Sequence, residues 1–112
     1  MKILKRQEFL ATPNGTVYQE YEPCVFGPMR IKYDRIGSND FVVQDLAECA
    51  IESKGSGNAS DLLFDAEENG TSLKMDFDSC GREGLLPGED ALYAVWEPAD
   101  IQAIMLKLAK CL

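Results

Sequence analysis

The chain has 112 residues, 46% of them apolar and 27% charged, with no histidine and a formal net charge of -8. That length suits one domain with its own core. The missing histidine removes Ser-His-Asp and Cys-His catalysis together with the commonest metal ligand, and the acidic balance works against direct nucleic-acid binding.

In chain order, "LKRQEFLATP" predicts a short helix ended by Pro13, and "PNG" a turn. "TVYQEY" predicts a strand. "MRIKYDRI" alternates Met29, Ile31 and Tyr33 with Arg30, Lys32 and Asp34, and "FVVQDL" supplies a third strand. Strand, turn, strand, turn, strand over residues 15 to 46 implies an antiparallel meander. Ala47 to Ile51 reads as a helical turn or a strand extension, and "KGSGNAS" as a flexible loop. Ser60 is then the expected N-cap of a helix over 61–69, with Gly70 just past its end. "SLKMDF" and "ALYAVWE" predict two further strands. Ile101, Ile104, Met105, Leu108 and Leu112 follow helical spacing, with Pro98 in the first turn. The expected fold is a single α+β domain over residues 1–112, with a mainly antiparallel sheet of about five strands flanked by two or three helices.

Charge is divided unevenly. Residues 1–35 hold 6 Lys/Arg and 4 Asp/Glu, whereas residues 36–112 hold 5 and 15. Within "PMRIKYDR", Arg30 and Lys32 fall on one face of a strand, about 7 Å apart for a rise near 3.4 Å per residue. Two readings fit: a solvated strand face, or an anion-binding patch gripping phosphate oxygens. Tyr33 and Arg35 fall on the opposite face. The loop over 79–90 carries Gly81, Gly84 and Gly88 around Arg82 and reads as a long turn or a ligand loop. Tyr18, Tyr21, Tyr33, Tyr93 and Trp96 could stack a base or pack in the core. The candidate ligand-binding set is Arg30, Lys32, Arg82, Tyr18 and Tyr33.

No catalytic residue, cofactor or metal is expected. "DFDSCGREG" opens like a calcium loop through Asp76 and Asp78 but has Cys80 at the fifth position and Pro87 at the twelfth. Cys24, Cys49, Cys80 and Cys111 form no C-x-x-C pair and are expected to be reduced, structural and buried or half-buried. No apolar run approaches the roughly 20 residues of a membrane helix, and Arg6, Gln7 and Glu8 interrupt any signal-peptide stretch. A cytoplasmic location follows. The apolar stripe over residues 98–112 packs on the sheet or joins a homo-oligomer.

The stretches "EFLATPNGTVYQEYEPCVFG", "IKYDRIGSNDF", "MDFDSCGREG" and "LYAVWE" together resemble small accessory proteins encoded by tailed phages and prophages. The resemblance implies no site residue. It implies a setting, host cytoplasm, and an anti-defence role: sequestering a nucleotide-derived immune signal. The alternatives are an acidic, DNA-mimic-like inhibitor of a host defence or nucleic-acid-handling protein, and a small signal-degrading enzyme.

Overall fold

The structure, a computed structural model, describes all residues except 47, 49, 50 and 84–87. Its elements are β1 (Lys2–Lys5), α1 (Arg6–Leu10), β2 (Thr16–Glu22), β3 (Val25–Phe26), β4 (Arg30–Ile36), β5 (Asp40–Asp45), α2 (Ser56–Asn69), β6 (Gly81–Arg82), β7 (Leu92–Val95) and α3 (Pro98–Ala109). The fold is α+β. Its antiparallel sheet runs in the order β1-β7-β2-β4-β5-β6, with β3 hairpinned onto β2. The expected meander is present as β2, β4 and β5.

Alternation along β2 aims Tyr18 at the same face as Tyr93 of β7 and Phe41 of β5. Onto that face α1 presses Phe9 and Leu10, completing the buried cluster. The Phe9 ring stacks on Tyr93 with centroids 4.0 Å apart and meets Phe41 edge-on at 5.4 Å. Five residues make a weak helix alone, so α1 depends on this packing and on the turn at Thr12, whose N–H and hydroxyl both donate to the Phe9 carbonyl.

Several expectations need correction. Residues 2–5 form a strand rather than the start of the first helix, because they pair with β7. The second helix begins at Ser56, within the stretch read as a flexible loop. Ser60 is no cap: its hydroxyl donates to the Ser56 carbonyl inside that helix. Gly70 does end it, with φ of 68° in the left-handed region that glycine adopts without a Cβ clash. "SLKMDF" is not a strand; its one pairing among the described residues is an isolated bridge between Met75 and Ile51. Most of the Ala47–Ile51 stretch, with Cys49, lies outside the described residues, as do Gly84 and Pro87. Cys24, Cys80 and Cys111 are free and exposed, not buried. No described helix is long and apolar enough to cross a membrane.

Removing the aromatic plug tests this account of the core. Phe9→Ala is expected to cost about 3–5 kcal/mol in a denaturant titration. A loss below about 1 kcal/mol, the scale of a surface change, would show that α1 does not hold the sheet face.

Candidate functional site

Residues directly opposite one another on neighbouring strands share a face, which fixes the rows of the sheet. Val95, Tyr18, Arg30 and Asp45 form one row across β7, β2, β4 and β5. Thr16, Lys32, Val43 and Gly81 form the next, and Tyr93 opposes Glu20. The face carrying the aromatic core therefore also carries Glu20, Arg30 and Asp45. α1 covers only part of it.

The uncovered part is a hollow of about 840 Å³. Glu20 and Glu22 of β2, Arg30 of β4 and Val43 and Asp45 of β5 line it from the sheet, and Asp76 and the Ser79–Glu83 stretch close it from the far side. Five carboxylates face two guanidiniums there, a formal balance of -3. Arg30 Nε donates to Asp45 at 2.7 Å and Arg30 Nη1 to Glu20 at 3.4 Å. Arg82 is paired with Asp40. Glu22 and Asp76 have no ion-pair partner among the described residues. Asp76 Oδ1 instead accepts the backbone N–H groups of Asp78 and Ser79 and holds the loop. A second hollow of about 340 Å³ shares Glu20 and Glu22 and adds Val25, Ala91 and Leu92. The two glutamates thus stand on a ridge with an apolar flank.

At the floor lies a sealed ion pair. Arg6 and Glu83 side chains are each 3% exposed, with Nη2 3.5 Å from Oε2. Arg6 also donates to the Tyr93 hydroxyl and the Asn39 carbonyl. Burial opposes the Arg6 charge, but Tyr93 and Glu83 outweigh it and hold its pKa above the ordinary value. Burial pushes the Glu83 carboxyl up despite Arg6, and the Tyr93 hydroxyl up to about 12. Glu83 Oε1 and the Tyr18 hydroxyl are buried with no hydrogen-bond partner among the described residues.

The five residues singled out by sequence part company. Arg30 and Arg82 meet at the hollow. Tyr18 is wholly buried in the core and can stack nothing from outside. Tyr33 lies on the other face, where its hydroxyl donates to Gln44. Lys32 does share the Arg30 face, but that face is the core side. Its side chain is 1% exposed and Nζ donates to the carbonyls of Thr12, at 2.8 Å, and Tyr33. Both readings of Lys32 as an open cation, solvated or phosphate-binding, are therefore corrected: the turn after α1 closes over it. A register shift between Lys32 and Arg35 turns Arg35 opposite Phe41, onto the Lys32 side rather than the Tyr33 side. The acids Glu20, Glu22 and Asp45 were missed, although Glu20 and Glu22 follow Tyr18 at the two-residue strand period and had to share its face. Comparison with family models, curated proteins and solved structures found no match.

Burial, and after it the Arg35 charge, lower the Lys32 pKa below 10.5, with Asp34 opposing. Between the lowered folded value and the ordinary one the unfolded chain binds more protons, so stability attributable to Lys32 rises with pH. Urea unfolding of wild type and Lys32→Met from neutral pH to pH 10 should show wild type gaining on the variant across that window. A flat difference would mean that the ammonium reaches water.

Proposed function

We propose that the protein acts by binding, and that its hollow takes a basic segment of a protein partner. One observation carries this reading: both guanidiniums of the hollow are already paired with carboxylates, and Glu22 and Asp76 beside them have no ion-pair partner among the described residues. Phosphate entering here would meet a net negative lining. A lysine or arginine side chain would find carboxylates ready to form charge-assisted hydrogen bonds. The apolar flank of Val25, Ala91 and Leu92 beside Glu20 and Glu22 suits a peptide with an apolar residue next to its basic ones. In the phage setting that the resemblance implies, the partner is a host defence or nucleic-acid-handling protein with a basic groove. This is the inhibitor reading; the nucleotide-sequestering reading has weaker geometric support, since Lys32 and Tyr18 are sealed away.

Calorimetric titration with a short Lys/Arg-rich peptide and, separately, with a cyclic dinucleotide distinguishes the two. The peptide is expected to bind, and to weaken as salt screens the charges. Glu22→Gln with Asp76→Asn should reduce its affinity about tenfold, near 1.4 kcal/mol. Arg30→Ala is the discriminating variant, because it frees Asp45 and Glu20: peptide binding tightens if the hollow seats cations. Dinucleotide binding that Arg30→Ala abolishes would overturn the proposal.

A further inference from the structure

Among the described residues, neither α2 nor α3 has a buried side chain. Helices of 14 and 12 residues are marginal in water by themselves and draw most of their stability from packing an apolar face. In α3 the half-buried Ile101 and Ile104 begin a stripe that Leu108 should continue, yet Leu108 is 61% exposed, and every residue from Met105 onward is exposed. Leu63 and Phe64 of α2 are exposed as well. The shape agrees. A radius of gyration of 15.9 Å exceeds the roughly 13 Å of a compact chain this long.

The two helices differ in charge. α2 carries Asp61, Asp65, Glu67 and Glu68 and no base. Asp61, Glu67 and Glu68 lie three or four residues from Phe64 and so frame its ring. α3 carries Lys107, with Lys110 at its C-cap one turn beyond Leu106. None of these three acids or two lysines has an ion-pair partner among the described residues. The acid of α3, Asp100, sits in its first turn, away from the lysines at its C-terminal end. An acid-framed apolar patch on α2 therefore faces solvent, as does a lysine-flanked one on the last turns of α3, and both stand open within one copy.

We propose that a second copy of this chain covers them: α3 of each protomer docks on α2 of the other in a two-fold dimer. Such an interface is self-complementary, since the α3-on-α2 contact made by one protomer is returned by its partner. It places two lysines against the acids of α2 at both contacts. In a chain of net charge -8, whose copies otherwise repel, this pairing gives the dimer its register.

Sedimentation velocity across the micromolar range, on the full chain, tests the proposal with two charge-reversed variants. Lys107→Glu/Lys110→Glu puts acid against acid in its own dimer, and Glu67→Lys/Glu68→Lys puts base against base. Each alone should dimerise at least about tenfold more weakly than wild type, through loss and reversal of several exposed pairs. Mixed in equal amounts, both contacts regain opposite charges and association should return to the wild-type level. Unchanged near-ultraviolet circular dichroism from the buried tyrosines certifies that each variant is folded. If a reversal unfolds the protomer, Lys107→Gln/Lys110→Gln replaces it and should weaken association severalfold. A monomeric wild type, variants that dimerise as wild type does, or a mixture no better than its components would each overturn the proposal.

Discussion

A guanidinium sealed at the start of a five-residue helix is costly to keep unless oxygen atoms meet it from several directions. Arg6 is met by the Glu83 carboxylate, the Tyr93 hydroxyl and the Asn39 carbonyl, three points far apart in the chain. That convergence pins α1 to the sheet between β5 and β7. With α1 in place, Phe9 stacks on Tyr93, and Leu10 and the Thr12 turn close over the neighbouring row. The position of α1 also decides how much of the sheet face is left open. The acidic hollow is the remainder of the same face, and Glu83 belongs to both, bonded to Arg6 beneath and lining the hollow above.

This arrangement explains which parts of the molecule were legible in the sequence. The meander over β2, β4 and β5 followed from period-two alternation, and α3 from helical spacing and Pro98. Parity was legible too: Arg30 and Lys32 do share a face. What alternation could not supply was which face becomes the core. Met29, Ile31 and Tyr33 looked inward because they are apolar, yet Tyr18, Phe41 and Tyr93 gather on the opposite parity, where α1 supplies Phe9. Lys32 is tolerated there because two backbone carbonyls receive its ammonium, and no local pattern announces those acceptors. β1 was hidden for a similar reason. Four residues rich in lysine acquire strand character only from pairing with β7.

The surface divides the charge into separate tasks. At the hollow, acids outnumber and occupy the nearby arginines. On α2 no base accompanies the acids, and Lys107 and Lys110 at the end of α3 have no ion-pair partner among the described residues. An average net charge of -8 conceals this pattern. A charge count over the first 35 residues drew attention to a basic stretch in which Arg30 is paired with acids and Lys32 is buried. The informative quantity was the pairing of each charge, which depends on strands distant in sequence.

The strand order has a consequence for synthesis on the ribosome. β7 lies between β1 and β2, so the two N-terminal strands do not touch until residues 92–95 have emerged to bridge them. The meander of β2, β4 and β5 is local and can pair early, as short-range contacts do. Phe9, however, has no Tyr93 to stack on until residue 93 is made, and Arg6 lacks the Glu83 carboxylate and the Tyr93 hydroxyl until those residues are made. The nascent chain must therefore carry a half-built sheet with an open β2 edge and an uncovered aromatic face until β7 is added. Its exposure to aggregation is set by the time taken to translate from β2 to β7.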